Sequence, residues 1–375
     1  MITTTQPTIP ATGRTRIVSF PKLGDYSVPL NILAERTLDC AVIDAPPITK
    51  KTVELGAKFS PDTVCTPFKI ILGNFLQSID RGANTFIMPA FGCRLGFYDI
   101  LHKQILLDMG KKIEMITLFD YYATEQKLFN SLSTANPALT REKFDKALSL
   151  CARIVCDMDE LANTMRHNAA FETQKGDFDR AYQSYLNEIR SIKAPVHSLD
   201  DQKTAVTIGD KYREIMRKIE IARPKTHLKI GIVGDLYSVI EPHGNCHLVK
   251  YLTDHGVEVF SKIDLTYLSK TLFDVRTLIE RSGGYVNYNI GGNANNTIAL
   301  AYEFADTVDG IIHVKAATCT PEITAMTILQ RISNDKNVPV MYLTFDTETA
   351  EAGLHTRLEA FLDMLEARPK KKEKQ

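Results

Sequence analysis

The sequence predicts an α/β protein made of two parallel-sheet lobes with an inserted helical arm. Three observations predict it. Short β-rich runs alternate with helix-length segments over the first 120 residues; a Glu-, Lys-, Arg-, Ala- and Leu-rich stretch without strand signals follows; and the alternation restarts near residue 226. Strands separated by roughly ten to fifteen helical residues indicate a parallel sheet with crossover helices. The predicted division is an N-terminal α/β lobe over 1–120, a helical insert over 121–225 and a C-terminal α/β lobe over 226–375.

In the first lobe, strand candidates are Arg16-Ile17-Val18-Ser19-Phe20, Ala41-Val42-Ile43-Asp44-Ala45, Phe86-Ile87-Met88 and Ile113-Glu114-Met115-Ile116-Thr117-Leu118. Pro21, Pro46 and Pro89 stop the first three, because proline has no N–H for the ladder. Phe68, Ile71, Leu72 and Phe75 fall at helical spacing before Gly82, and residues 95–109 do the same before Gly110, a predicted C-terminal cap. In the insert, residues 142–165 and 178–192 are the strongest helical segments, with breaks near Gly176 and Pro195 and an end before Pro224. The second lobe has strand candidates at 228–234, 257–260, 310–315 and 338–343, and helices at 248–255, 296–305, 322–332 and 353–365. Cys-Thr-Pro occurs at 65–67 and again at 319–321, each time opening a helix that is followed by a strand, which supports two similar lobes.

Lys plus Arg and Asp plus Glu both total 45, so no global charge draws the chain to nucleic acid or to an anionic membrane. No apolar run approaches the ~20 residues of a membrane span. The Thr/Pro-rich start, Met1 to Gly13, does not read as a signal peptide. Seven scattered cysteines fit reduced thiols or metal ligands in the cytoplasm better than a disulfide framework. No Walker-type phosphate loop, nucleophile elbow or His-Glu-x-x-His pair occurs, so ATP hydrolysis and the common hydrolase chemistries are not expected of this chain. The Lys370-Lys371-Lys372 tail reads as a solvated end.

Cys65, Cys93 and Cys319 share one local setting: each sits where a helix begins, and Cys93 and Cys319 follow a strand. That is the carboxyl edge of an open α/β sheet, where ligands bind. Free N–H groups and the positive end of a helix favour thiolate, the metal-binding form of cysteine. Pro67 and Pro321 suit the first helical turn, and Arg94 is a source of positive charge beside a bound anion. Three thiolates from two lobes can converge on one iron–sulfur cluster, with a coordination position left open. Buried, inert thiols are the competing reading, and spacing alone favours it.

The wording of the motifs carries more than their spacing. Cys-Thr-Pro-Phe-Lys at 65–69, Gly-Cys-Arg-Leu-Gly-Phe-Tyr at 92–98, Gly-Ile-Val-Gly-Asp-Leu-Tyr-Ser-Val-Ile-Glu-Pro at 231–242 and the stretch 309–365 occur in this order. Together they resemble the iron–sulfur component of the 2-hydroxyacyl-CoA dehydratases, in particular its short, activase-related branch. The resemblance spans residues 15–120 and 226–366. It implies two flavodoxin-like lobes around a 4Fe–4S cluster, with Cys65, Cys93 and Cys319 as its ligands. It also implies an ATP-dependent activator that delivers a low-potential electron, an acyl-CoA substrate, lyase or reductase chemistry and a homo- or heterodimer. A cluster-bearing electron-transfer or accessory subunit, and a cluster-free two-lobed binding protein, are the alternative readings.

Further candidates carry simpler readings beside the functional ones. Cys246, in His243-Gly244-Asn245-Cys246, is a candidate fourth ligand or a packed thiol. His243 and His247 are four apart and share a helix face only if a helix starts early. Cys151 and Cys156 lie about 140° apart around a helix and are expected to pack, as is Cys40. Gly291-Gly292-Asn293-Ala294-Asn295-Asn296 is either an anion site for CoA phosphates or a tight turn. Glu322 is expected to cap its helix or to move a proton.

Overall fold

The computed structural model describes residues 16–88, 93–118, 124–192, 199–271 and 274–368. The terminal segments read above, Met1 to Gly13 and Lys370-Lys371-Lys372, lie outside the described residues, as do Phe91 and Gly92 and the side chain of Arg94.

The N-terminal sheet contains β1 (Ile17–Ser19), β2 (Ala41–Val42), β3 (Thr85–Met88) and β4 (Glu114–Thr117). They are connected through α1 (Ser27–Leu38), α2 (Lys50–Phe59), α3 (Thr66–Asp80) and α4 (Tyr98–Asp108). The arm follows as α5 (Glu125–Ala135), α6 (Arg141–Asn168), α7 (Asp177–Arg190) and α8 (Leu199–Arg217). The C-terminal sheet starts with β5 (Lys229–Gly234), then α9 (Leu236–Ile240), α10 (Leu248–Asp254) and β6 (Glu258–Phe260). It continues through α11 (Leu265–Thr271), α12 (Val275–Arg281), α13 (Ala294–Phe304), β7 (Gly310–Ala316), α14 (Thr320–Lys336), β8 (Val340–Phe345) and α15 (Glu351–Glu366).

Both sheets are parallel, and both have the same order: β2-β1-β3-β4 and β6-β5-β7-β8. This is the 2-1-3-4 order of the flavodoxin-like sheet, with its switch point between the first and third strands. The fold is α/β with two parallel-sheet lobes, as the alternation predicts. The repeated tripeptide is a weaker guide than it looks. Cys65 opens the helix between the second and third strands of its lobe, whereas Cys319 opens the helix between the third and fourth. The topological counterpart of Cys319 is Cys93.

Strand alternation sorts the cores. Phe86 and Met88 face α2, α3 and α4, while Ile87 faces α1, α5 and the start of α6. In the other lobe, Ile230, Ile232, Ile312 and Val314 face α10 and α15, while Val233 and Ile311 face α13 and α14. Buried on both faces, these strands read as the continuous apolar runs expected of parallel sheets. The arm packs through its own core, in which Ile154, Leu161, Tyr185, Leu186 and Ile189 are fully buried. A buried Arg36–Asp201 pair at 2.6 Å fastens α8 to α1. Cys151 is buried in the arm, whereas Cys156, expected to pack, is exposed and accepts from the Thr266 hydroxyl at 3.7 Å. Cys40 is half-buried and donates to the Ala34 carbonyl at 3.7 Å.

Helices α2 and α3 cross backbone to backbone. A Cβ at Gly56 would fall 1.7 Å from the Lys69 carbonyl oxygen, and one at Gly73 would fall 1.9 Å from that of Thr52. No rotamer change relieves such a clash. Gly73→Ala is therefore expected to cost about 3 kcal/mol or more, read as a lowered urea midpoint at unchanged slope. Ala at Gly353, in the first turn of α15, where the backbone is helical and a Cβ meets nothing within 4 Å, is the reference; an equal loss in both would show that crowding is not the cause.

Candidate functional site

The carboxyl edges of the two sheets face one cavity of about 350 Å³. Cys65, Cys93 and Cys319 all line it, although they are far apart in the chain. Cys65 is the residue before α3 and Cys319 the residue before α14; each helix has proline in its first turn, and neither thiol caps its helix. Cys93 precedes a 3₁₀ turn, Arg94–Phe97, that leads into α4. The remaining walls include Tyr98, Asp235, Tyr237, Gly291, Gly292, Asn293 and Thr318.

The two lobes are bonded to each other around this cavity. The Thr66 hydroxyl, in the first turn of α3, donates to the Phe345 carbonyl at the end of β8 at 3.0 Å. The Gly24 N–H donates to the buried Glu241 carboxylate at 2.6 Å. Tyr237 leaves α9 to join the apolar core of the N-terminal lobe. A Cβ at Gly292 would lie 3.2 Å from Pro321 and 3.6 Å from the Cβ of Cys93, so this glycine lets the C-terminal lobe approach the Cys93 segment closely.

Asp235 is the central buried acid. Its Oδ1 accepts the Ser238 N–H at 2.9 Å and caps α9; its Oδ2 accepts the Ala316 N–H at 2.6 Å and pins the end of β7. Burial raises its pKa, and the nearby Glu322 raises it further. The thiols respond in turn. Burial pushes Cys65 and Cys319 up, and the Asp235 charge adds to both. The helix ends favour thiolate as the sequence suggests, yet burial and the carboxylates win, so both thiols are protonated when nothing is bound.

Tyr98 is a side-chain partner of Cys65: its hydroxyl lies 3.2 Å from the sulfur, where either atom can donate. Its ring stands edge-on to Phe68, whose other contact is a stack with His102 at 3.9 Å. The fully buried His102 donates from Nε2 to the Phe68 carbonyl at 3.0 Å, since a carbonyl only accepts, and burial keeps that imidazole neutral.

Glu322 does not cap α14. It is fully buried, with Oε2 2.9 Å from His313 Nε2 and Oε1 accepting from Thr297 at 3.1 Å. Gly291 and Gly292 both have positive φ, at 95° and 53°, so the turn needs them. The amides around them serve the turn: Asn295 accepts from the Ile290 N–H at 2.9 Å, and Asn293 Nδ2 donates to the Gly234 carbonyl at 2.7 Å. Asn293 lines the cavity, and its buried side-chain oxygen has no hydrogen-bond partner. Thr318, next to Cys319, is held at φ 64°, a conformation that β-branched residues rarely adopt.

The structure does not bring Cys246 to this cavity. It sits at φ 52° after a 3₁₀ turn, packed against the core under α10 and α15. His243 lies in that turn and His247 before α10, so they share no helix face, although their rings meet edge to face at 6.3 Å. Of the residues that line this cavity, the sequence reading singled out the three thiols and the glycine turn with Asn293, and did not single out Asp235, Tyr98 or Thr318. Asp235 and Tyr98 lie inside the quoted motifs, and Asn293 inside the glycine turn. Thr318 has no sequence signal.

No three His, Cys, Asp or Glu side chains among the described residues stand close enough to share a single metal ion. A multi-iron cluster is wider than one ion, and its cysteines stand correspondingly apart. Three soft thiols from two sheet edges, in a largely apolar cleft, fit such a group. The molecule is thus a two-lobed α/β protein with a thiol-lined cleft at both switch points. Residues 274–365 match the family described as 2-hydroxyglutaryl-CoA dehydratase, D-component, which supports membership of the 2-hydroxyacyl-CoA dehydratase family. The matched segment runs from α12 to α15 and contains Cys319. No protein of curated function matches the chain. No helix of the described residues is long and apolar enough to cross a membrane.

Two predictions follow from the support under Cys65. Removing the Tyr98 hydroxyl (Tyr98→Phe) takes a donor from the Cys65 thiolate. Alkylation of Cys65 by iodoacetamide in metal-free protein should slow about tenfold at fixed pH, since a hydrogen bond to a charged group contributes ~1.5 kcal/mol or more; an unchanged rate contradicts the contact. His102 is neutral in the fold, with its pKa pulled by burial from 6.5 to about 3. Between those values the unfolded chain binds the extra proton, so stability falls as pH drops through that window, by up to ~4 kcal/mol. Urea titrations at pH 7, 5 and 4 should show this limb in the native protein and a flatter one in His102→Gln.

Proposed function

We propose that the chain is an iron–sulfur component of the 2-hydroxyacyl-CoA dehydratase type, with Cys65, Cys93 and Cys319 holding a 4Fe–4S cluster. In this reading it takes low-potential electrons from an ATP-dependent activator and serves the dehydration of a 2-hydroxyacyl-CoA. The observation that carries it is the meeting of these three thiols on one cavity at the carboxyl edges of both sheets.

When bound, the cluster supplies one-electron chemistry and a Lewis-acidic iron with an open position. The chain does the rest. Its lobes hold the half-buried thiols in a largely apolar cleft. Cys65 and Cys319 give up the protons that burial holds on them, so cluster uptake releases protons and weakens as pH falls. Tyr98 shares a hydrogen bond with the Cys65 sulfur, a contact of the kind that sets reduction potential. A cluster-bearing electron-transfer or accessory subunit is the second reading. The cavity size favours it: about 350 Å³ is at the low end for small-molecule sites and leaves room for only a small acyl group beside a cluster.

Anaerobic purification tests the proposal. A brown protein with about four irons and matching sulfide per chain is expected. Cys65→Ser, Cys93→Ser and Cys319→Ser should lose iron, while Cys156→Ser and Cys246→Ser should retain it. A colourless protein with every thiol titratable leaves the cluster-free binding protein. Turnover of hydroxyacyl-CoA thioesters with activator, ATP and reductant separates catalyst from carrier.

A further inference from the structure

The first turn of α14 carries a carboxylate into the core. Cys319 immediately precedes this helix and Glu322 is its third residue, so the two stand about one turn apart. Glu322, His313 on β7 and Thr297 on α13 are all fully buried. Glu322 Oε2 lies 2.9 Å from His313 Nε2, and its Oε1 lies 3.1 Å from the Thr297 hydroxyl.

The surroundings fix where the protons are. Thr297 has one hydroxyl proton and two acceptors at 3.1 Å, Glu322 and the Gly234 carbonyl. Asn293 already donates to that carbonyl at 2.7 Å, so the Thr297 proton is free for Glu322. His313 Nδ1 is buried and has no hydrogen-bond partner. A proton on it would be a buried N–H without an acceptor, which folded proteins rarely leave; a bare lone pair is tolerated better. The ring proton therefore sits on Nε2 and is donated to Glu322. The imidazole is neutral and the carboxylate ionised.

Neutral donors satisfy this carboxylate without cancelling its charge. Among the described residues its only ion-pair partner by distance is that imidazole; Lys315, also buried on β7, does not pair with it. What offsets the charge is the positive end of α14, where Glu322 stands. Asp235 is a second buried acid of the same region, with its oxygens taken by the Ser238 and Ala316 N–H groups. Both acids reach the thiol: after burial, the Asp235 and Glu322 charges are what push Cys319 up.

We propose that Glu322 sets the reduction potential of the group held by Cys65, Cys93 and Cys319, acting as a fixed negative charge one helical turn from Cys319. The inference rests on the iron–sulfur reading above. An electron entering the cluster adds negative charge near Glu322, and in a dry core that repulsion is weakly screened. The reduced form is disfavoured, and the electron it holds is a stronger reductant. His313 and Thr297 are positioning residues, which hold the carboxylate in place without neutralising it.

Anaerobically reconstituted full-length protein, titrated with redox mediators and followed by electron paramagnetic resonance, tests this. Glu322→Gln keeps an oxygen for the His313 N–H and an amide for the Thr297 hydroxyl, but removes the charge. It should retain the wild-type iron content. At the wild-type midpoint its reduced-to-oxidised ratio should be at least tenfold higher, a rise of about 59 mV for one electron. His313→Gln, which exchanges one neutral donor for another, should leave the midpoint in place. An unchanged or lowered midpoint in Glu322→Gln overturns the proposal. So does loss of iron from that variant, which would make its role structural, or an equal rise in His313→Gln. Wild-type protein that takes up no iron overturns the iron–sulfur reading itself, and this inference with it.

Discussion

The site depends on the contact between the two lobes. Each lobe can fold its own parallel sheet, but neither brings three thiols together. That juxtaposition rests on a few buried polar bonds across the cleft, above all Thr66 to the Phe345 carbonyl and Gly24 N–H to Glu241. Such bonds are worth more buried than exposed, because the group left behind when one breaks has no water to turn to. The segment 231–242 concentrates this function. Gly234 lets β5 approach β7, where a Cβ would fall 1.8 Å from the Val314 carbonyl oxygen. Asp235 pins the end of β7, Tyr237 enters the opposite lobe's core and Glu241 takes the Gly24 N–H. A motif that reads in the sequence as a strand and turn is the joint of the molecule.

How much was legible follows from which forces are local. Strands such as 310–315 were readable because burial on both faces leaves an uninterrupted apolar run, and the helix after Cys319 because proline and a periodic apolar face announce it. α1, α2 and the short helices α9, α11 and α12 were not foreseen. In α2 a glycine chosen for backbone contact with α3 stands where a helix former would have been the signal. The three thiols were named from their places at helix starts and from the motifs around them. Cys246 was named from its place just after the Glu241-Pro242 turn and packs against another core, because nearness in the chain to a motif says nothing about which side of the sheet a residue faces. Asp235 and Tyr98 act through partners distant in sequence, across two different lobes in the case of Asp235, and no local pattern encodes that.

The electrostatics of the cleft run against its chemistry. On the proposed cluster reading a ligating thiol is better ionised, yet Cys65 and Cys319 are held protonated by burial and by Asp235. Desolvation that disfavours an unpaired thiolate also strengthens its bond to a cation once one is present. The walls that keep the thiols protonated would, on that reading, also strengthen their bonds to a cluster.

The matched topology of the lobes has a consequence for symmetry. The residue just before the helix that leads into the third strand is Cys65 in one lobe and Asn293 in the other; the residues after the third strand are Cys93 and Cys319. Four related stations thus surround the cleft, three bearing sulfur and the fourth an amide whose oxygen is unclaimed. A pseudo-dyad that is faithful in backbone and broken in one side chain gives any guest a unique orientation, with one vertex dressed differently from the other three.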